Sequence, residues 1–307
     1  MTAPRVLYLT GWLRSGSTML GNVLGELPGV LHVGELHYLW RNGVLSDGTN
    51  SSCGCGRDLT DCDLWSTALG GGHDVAVRVE TARRTVALQQ SLLRTRHTRA
   101  RLAEVRGAAR APGLDEVVGQ TAGIYRLLAG RGGERLIIDG SKYPAEAATL
   151  LGRSDLDVRV LHIVRDPRPT AYSYQRAKEY IDPMSPARSS GYWTAFNLAS
   201  EAVGRQAGDR YLRVRHEDLC ARPRETVAEV MRFAGLDGPP PVDGAGRVLL
   251  TANHTVTGNP DRLVNGAAVI RADERWRTGL TRAQVAAATA PALPLLTRYG
   301  YPLVPSS

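Results

Sequence analysis

Short apolar runs of strand length alternate along the chain with segments whose apolar residues repeat every three or four positions. The runs lie at residues 5–10, 30–33, 135–139, 157–164 and 211–214, and the fourth is rich in β-branched residues. Helical spacing predicts helices at residues 19–27, 74–106, 114–128 and 224–233, and shorter helices after residues 144 and 165. Strands that alternate with helices predict an α/β fold with a mostly parallel sheet and helices on both faces.

One long stretch of the chain lacks any predicted strand. Residues 41–73 are irregular and contain three of the four cysteines, and the two longest helical patterns follow them. No internal repeat interrupts the remaining pattern. We therefore interpret residues 1–307 as a single domain that carries an irregular and helical insertion at about residues 40–130.

Composition indicates the class of protein, its cellular location and the charge of its ligands. With 43% hydrophobic and 22% charged residues in 307, the chain can bury a core. No apolar run approaches the roughly 18 residues of a membrane span, and the N-terminus lacks a signal-peptide pattern. Four cysteines are too few for a disulfide framework, so we expect a reducing, cytoplasmic location. The net charge of +8 favours anionic ligands.

The first chemical signal is a glycine- and serine-rich turn at residues 11–18 (G-W-L-R-S-G-S-T), between a predicted strand and a predicted helix. Backbone N–H groups in such a turn bind phosphate, although a turn without a ligand is the alternative. The pattern follows the P-loop, G-x-x-x-x-G-K-[ST], except that Ser17 stands at the lysine position. Because that lysine normally reaches the β- and γ-phosphates, phosphoryl transfer from ATP is disfavoured. The turn carries a different cation, Arg14.

A second signal begins directly after the longest predicted strand, at residues 165–173 (R-D-P-R-P-T-A-Y-S). Arg165 follows the strand, at the edge where open parallel sheets bind ligands, and Ser173 lies two turns into the next helix. A guanidinium and a hydroxyl in this arrangement suit a phosphate. The alternative is a strand end followed by a helix cap.

In this order, the two segments resemble the sulfotransferases that use 3′-phosphoadenosine 5′-phosphosulfate (PAPS). Residues 211–235 resemble the family's R-Y-E-D-L…F-x-G-L segment, and residues 254–262 with 273–276 resemble the tail of bacterial members. The resemblance implies a P-loop-like sheet and sulfuryl transfer to a hydroxyl of a small-molecule, glycan or secondary-metabolite acceptor. It leaves residues 40–130 unmatched, and we expect this insertion to shape the acceptor site.

The resemblance also implies which residues contact PAPS. In the family, the first turn binds the 5′-phosphosulfate, and the strand-end arginine with the helix serine binds the 3′-phosphate. Three further positions are carried over: His216, which stands where the family has a tyrosine, and Asn259 and Arg262 in the tail. The complete set of expected cofactor contacts is Arg14, Ser15, Gly16, Ser17, Thr18, Arg165, Ser173, His216, Asn259 and Arg262.

Three residues are candidates for the chemical step. Glu35 follows the second strand, where tyrosylprotein sulfotransferases have a glutamate base, so the resemblance nominates it as base; His32 and His37 are rivals. Lys142 resembles a lysine that assists sulfuryl transfer, and Arg14 is expected to stabilise the leaving phosphate or the sulfuryl group. The alternatives are that Glu35 orients the acceptor or is a solvated carboxylate, and that Lys142 is a surface lysine.

The cysteines raise the question of a metal. Cys53, Cys55 and Cys62 are irregularly spaced, and His73 is the nearest fourth ligand in the sequence. Structural zinc sites commonly use C-x₂₋₄-C pairs, and sulfuryl transfer requires no metal. We therefore expect no metal.

Partners follow from the charge distribution. Residues 78–106 contain eight arginines but lack the interleaved aromatic residues of a nucleic-acid surface. We interpret them as a solvated helix face that covers the acceptor site, and expect no nucleic acid partner and a homodimer. Two other functions remain open: a nucleotide-dependent P-loop kinase and a non-catalytic phosphoadenosine-binding module.

Overall fold

A computed structural model of the protein describes residues 3–48, 50–69, 74–131, 133, 136–175 and 182–304. A sheet of five parallel strands has the order β2-β3-β1-β4-β5, and two further strands, β6 and β7, form an antiparallel hairpin. The predicted α/β fold, a P-loop-like parallel sheet flanked by helices, is confirmed. The strands are β1 Arg5–Thr10, β2 Val30–Gly34, β3 Leu136–Lys142, β4 Asp157–Val164, β5 Tyr211–Arg215, β6 Arg247–Leu250 and β7 Gly266–Val269.

The helices connect and cover these strands. Within the described ranges the α-helices are α1 Ser17–Gly25, α2 Asp63–Ala68, α3 Val75–Leu92, α4 Thr98–Val105, α5 Leu114–Ala129, α6 Pro144–Leu151, α7 Pro167–Gln175, α8 Pro186–Ala207, α9 His216–Ala221, α10 Pro223–Ala234, α11 Trp276–Gly279, α12 Arg282–Thr289 and α13 Leu293–Leu296. Among these described residues, no helix has both the length and the apolar composition needed to cross a bilayer.

The structure corrects the helix expected at residues 74–106. It is two helices, α3 and α4, separated by a turn in which Arg94 adopts an extended backbone with ψ 152°. Thr98 closes this turn, because its hydroxyl donates to the carbonyl of Thr95 at 2.7 Å. Leu93 and Leu102 are buried on either side of the turn, so the apolar period continues across it. A hydrophobic pattern alone therefore does not reveal the break.

The insertion packs on one face of the sheet. Tyr8 and Val160 point to that face and share one buried cluster with Leu93, Leu102 and Leu114 of the insertion. The alternate strand positions point to the opposite face, where they pack with α1 and α10 in a second cluster. Each fully buried leucine stabilises this three-layer arrangement by about 1.5–3 kcal/mol.

The carboxyl ends of the five parallel strands lie along one edge of the sheet. Gly11 follows β1, Glu35 follows β2, Lys142 ends β3, Arg165 follows β4 and His216 follows β5. Residues far apart in the sequence are thus placed side by side, at the edge where parallel sheets bind ligands.

Gly11 illustrates how tightly the first turn packs against this edge. Its φ of +129° disfavours any other residue, and a Cβ there would lie 2.3 Å from the carbonyl oxygen of Ile163. We predict that Gly11→Ala lowers the free energy of unfolding by about 2–4 kcal/mol, since both strain and overlap contribute. Urea denaturation measures the change.

Gly107→Ala is the matched control for that variant. Gly107 also has a positive φ, +105°, but a Cβ there meets nothing within 4 Å. It should therefore show only the conformational cost of about 1–2 kcal/mol. Equal losses in the two variants would contradict the close approach of the turn to β4.

Candidate active site

The turn after β1 is shaped to bind an anion. Arg14 and Gly16 adopt left-handed backbone conformations, with φ of 68° and 89°, and α1 begins immediately afterwards at Ser17. The buried hydroxyl of Ser15 has no hydrogen-bond partner within the described residues. Unpaired N–H groups at a helix start together with an unsatisfied buried hydroxyl suit a phosphate or sulfate group.

The structure brings the two sequence motifs into direct contact. Arg14 Nε donates to Ser173 Oγ at 3.0 Å, and Arg165 Nη1 donates to the carbonyl of Arg14 at 3.0 Å. Burial lowers the pKa of the Arg165 guanidinium, and Glu217 offsets part of this effect. Two arginines and a serine from distant parts of the chain thus form one basic cluster.

A cleft of about 460 Å³ opens beside this cluster. Its wall includes residues of the first turn, both remaining catalytic candidates and the tail: Arg14, Gly16, Ser17, Thr18, Glu35, Lys142, Gly258 and Asn259. Arg165 and Ser173 do not line this cleft, but both form hydrogen bonds with Arg14, which does.

Lys142 and Glu35 form an ion pair inside the cleft. Lys142 Nζ donates to Glu35 Oε1 and also to the carbonyl of Gly140 at 2.9 Å. The side chains are only 8% and 13% exposed, respectively, so Lys142 is not the surface lysine of the alternative interpretation. A cation and a carboxylate are therefore held together beside the first turn.

The backbone of β3 positions this lysine. The pairing of β1 with β3 shifts register before Lys142, which adopts a left-handed φ of 75°. Thr10 Oγ1 donates to the Lys142 carbonyl at 2.9 Å and fixes the irregular strand end. A non-glycine residue in this conformation carries a conformational cost of about 1–2 kcal/mol.

The tail of the chain holds Glu35 from the other side. The Glu35 N–H donates to the carbonyl of Val256 at 2.8 Å, and Thr257 Oγ1 donates to the carbonyl of Glu35 at 3.0 Å. A Cβ on Gly258 would lie 3.2 Å from Glu35 Oε1. The segment from 256 to 258 therefore sets the position of the carboxylate.

Two tail residues expected to contact the cofactor have different surroundings. Asn259 lines the cleft. Arg262 is 1% exposed and donates to the carbonyls of Thr255 and Ser52, each at 2.8 Å, and to Asn50 Oδ1 at 2.6 Å. The guanidinium of Arg262 thus links the tail to the insertion, and the cofactor contact expected for it stays a prediction.

Two histidines close to the turn are held neutral by burial. His216 packs against the turn, since a Cβ on Gly16 would lie 2.4 Å from its Nδ1, and burial together with Arg165 lowers its pKa to about 3. His32 pairs with Asn22 at 3.0 Å, and burial, Lys142 and Arg262 lower its pKa to about 3. Neither imidazole lines the 460 Å³ cleft.

His37, the other rival base, faces the interior. It lies in a short 3-10 turn, its Nδ1 is 2.8 Å from Glu146 Oε2, and its ring centroid is 4.3 Å from that of Tyr143. It does not line the cleft either. Of the three base candidates named from the sequence, only Glu35 reaches it.

A larger cleft of about 1500 Å³ adjoins the first and shares Leu13, Tyr38 and Asp182 with it. The insertion supplies much of its wall, including part of the arginine-rich stretch. The arginines that line it are Arg94, Arg96, Arg99, Arg106, Arg188 and Arg205. Asp182 is the one acidic residue that the described wall includes, so this cleft is strongly basic.

A pair of tyrosines that was not predicted from the sequence lies between the two clefts. The hydroxyls of Tyr38 and Tyr143 are 2.7 Å apart, and Tyr38 lines both clefts. Tyr143 follows Lys142 directly, which is the one sequence signal that pointed to it.

The fold brings three of the cysteines close to a histidine. Ligand atoms of Cys53, Cys55, Cys62 and His254 all lie within 4.8 Å of one another. His73, the fourth ligand considered from the sequence, lies outside the described residues. The fourth potential ligand is instead His254, which lies in the tail of the chain.

Comparison with known proteins agrees with this geometry. The model of the sulfotransferase family matches residues 6–240, which cover the parallel sheet except its first residue, and ten of the thirteen α-helices within the described ranges. The chain therefore belongs to the sulfotransferase family, and the resemblance noted in the sequence is confirmed.

Individual relatives are distant. Human carbohydrate sulfotransferase 3 is 27% identical over 167 residues, which span 48% of this chain and 34% of that protein. The chain thus matches about a third of the length of that relative. The sulfotransferase domain of the Synechococcus PCC 7002 olefin synthase is 22% identical with a TM-score of 0.56, and covers 99% of this chain and 98% of its own. The sulfotransferase domain of the curacin biosynthetic pathway is 16% identical, with a TM-score of 0.56 and coverage of 99% and 100%; both share the fold.

Proposed function

We propose that the protein transfers the sulfuryl group of PAPS to a hydroxyl of a small-molecule, glycan or secondary-metabolite acceptor. The observation that carries this proposal is the sheet edge itself. At this edge the first turn, with Arg14, and the Lys142–Glu35 pair line the same cleft. The family assignment supports the same reaction.

The residues present fit a donor with two phosphate groups. The first turn offers helix N–H groups and the unpartnered Ser15 hydroxyl, and Arg14, Arg165 and Ser173 add two cations and a further hydroxyl beside it. When bound, PAPS supplies a sulfuryl group on a phosphate leaving group.

Each of the three catalytic candidates has a distinct role at the cleft. Arg14 holds positive charge next to the turn, where negative charge develops as the leaving phosphate departs. Lys142 holds its ammonium toward the transferred oxygens. Glu35 accepts the proton of the acceptor hydroxyl, because its carboxylate lines the cleft and pairs with Lys142, while Thr257 holds its backbone carbonyl.

The structure disfavours the kinase alternative. A P-loop kinase needs the lysine that Ser17 replaces, and an acidic residue that can hold magnesium at a strand end. Asp139, the last residue of the strand expected at 135–139, lies inside β3, is fully buried and accepts hydrogen bonds from the Ser141 N–H at 2.8 Å and the Tyr125 hydroxyl at 2.5 Å. Burial beside Glu146 raises its pKa to about 6.

The 1500 Å³ cleft is the proposed acceptor site. It adjoins the proposed reacting groups at Tyr38, and residues of the insertion form much of its wall, which supports the acceptor role proposed for the insertion. Aromatic residues such as Trp12 and Tyr192 offer stacking surfaces, and its arginines favour an acceptor with acidic groups near the hydroxyl.

We also propose a cytoplasmic location. The four cysteines are all free, which suits a reducing compartment.

The reaction itself is tested by following which group moves. The protein is incubated with ³⁵S-labelled PAPS, or with γ-³²P-labelled ATP, and a panel of acidic and neutral hydroxyl acceptors. We expect sulfur label in the product and none from ATP. Phosphoryl transfer would identify a kinase, and binding of adenosine 3′,5′-bisphosphate without any transfer would identify a binding module.

The chemical roles are tested by Glu35→Ala and Lys142→Ala. Each should lower kcat by about 10²–10⁴-fold, because a proton acceptor or an electrostatic stabiliser is lost. Calorimetry with adenosine 3′,5′-bisphosphate should show nearly unchanged affinity. Turnover at the wild-type level in either variant would remove that residue from the mechanism.

The donor-binding roles are tested by Arg14→Ala and Arg165→Ala. Each variant loses a hydrogen bond from a charged donor, which contributes about 1.5–3 kcal/mol to binding. Calorimetry should therefore show that adenosine 3′,5′-bisphosphate binds about 10- to 150-fold more weakly. Arg224→Ala removes one exposed positive charge from α10 and is the matched control. Equal affinity in all three variants would contradict the proposed donor site.

A further inference from the structure

Three thiols and one imidazole meet outside the two clefts described above. Cys53 and Cys62 are fully buried, and Cys55 is partly buried. His254 Nδ1 lies 3.2 Å from Cys62 Sγ and 3.6 Å from Cys53 Sγ. None of the four residues lines either cleft.

The spacing of these atoms matches tetrahedral coordination. With metal–sulfur bonds of about 2.3 Å and metal–nitrogen bonds of about 2.0 Å, the corners of a tetrahedron are about 3.5–3.8 Å apart. All four ligand atoms lie within 4.8 Å of one another, and the distances from His254 Nδ1 to the sulfurs of Cys62 and Cys53 are 3.2 and 3.6 Å. Small side-chain adjustments therefore suffice to enclose an ion.

The backbone around the four residues is already fixed. The Cys53 N–H donates to the carbonyl of Arg57 at 2.8 Å and the Cys62 N–H to that of Asp58 at 2.9 Å, which closes a compact loop. Trp65 Nε1 donates to the carbonyl of His254 at 2.7 Å. The ligands are thus held by neighbouring bonds that do not depend on a metal.

We propose that Cys53, Cys55, Cys62 and His254 bind one structural Zn²⁺ ion. Soft thiolate ligands select zinc, copper(I) or iron–sulfur clusters, and three thiolates with one imidazole in a closed tetrahedron favour zinc. Four protein ligands leave no position for water or substrate, so the ion has a structural role. This replaces the expectation of no metal for the protein, while sulfuryl transfer itself still requires none.

The ion would join the insertion to the tail. Three ligands come from the loop at 53–62, and the fourth precedes the segment 256–258 that positions Glu35. Arg262 makes a second link between the same two segments through Asn50 and Ser52. Zinc therefore stabilises the wall of the cleft from a site that contacts no substrate.

Metal content is the direct test. An untagged chain of residues 1–307, purified under reducing conditions from zinc-supplemented medium, should contain one zinc per chain by elemental mass spectrometry. Cys62→Ser and His254→Gln should lose most of it, whereas Cys220→Ser, which removes the cysteine outside the cluster, should retain it. These measurements do not depend on sulfuryl transfer, so their outcome is separate from that of the proposed function.

Two measurements on the wild-type chain cover the case in which a ligand variant fails to fold. Replacement of zinc by Co²⁺ should give the visible bands of tetrahedral cobalt and a thiolate charge-transfer band. A strong chelator should lower Tm, added zinc should restore it, and hydrogen exchange should rise at residues 50–62 and 253–262.

Several outcomes would overturn the proposal. One is a wild-type chain without metal that takes up neither Zn²⁺ nor Co²⁺ at one ion per chain under reducing conditions. A stoichiometric iron–sulfur cluster or copper would refute zinc as the ion, and retention of zinc in both ligand variants would refute the site.

Discussion

Parallel pairing of β1 between β3 and β4 is the constraint on which the candidate site depends. Parallel pairing on both sides of β1 brings the carboxyl ends of the strands to one edge. Residues from 11 to 216 consequently share one cleft region, although the sequence separates them widely. A shift of any one strand by a single residue would turn its side chains to the other face and displace its end residue.

The tail contributes as much to the site as the sheet does. The carbonyl of Val256 accepts a hydrogen bond from the Glu35 N–H, and Thr257 donates to the Glu35 carbonyl, so both hold the backbone of Glu35. Arg262 and His254 connect the same segment to the region that carries the cysteines. The insertion, the tail and the strand ends are therefore mechanically coupled. A substitution in the loop at 53–62 can therefore displace groups at the reacting centre, even though this loop contacts neither the donor nor the acceptor.

The sequence was sufficient where a local pattern determines local structure. Residues 5–10 and 157–164 are strands with the bounds expected, since a continuous apolar run suits a buried parallel strand. The first turn and Arg165 followed from their positions after those strands. The helix α8 was missed because buried polar residues such as Ser189, Asn197 and Ser200 obscure its apolar face, although Ser185 and Pro186 mark its start. The role of Arg262 and the approach of His254 to Cys62 depend on tertiary folding across about 200 positions, which no local pattern encodes.

Lys142 combines an unfavourable backbone conformation with a charge at the centre of the cleft. Glycine would adopt φ 75° without steric penalty, so it would suit the backbone better than lysine does. Directed evolution that screens for heat resistance alone would therefore favour glycine at this position and remove the ammonium group. Screens of this enzyme for heat resistance should consequently also select for turnover. At this position, stability favours glycine, whereas turnover favours lysine.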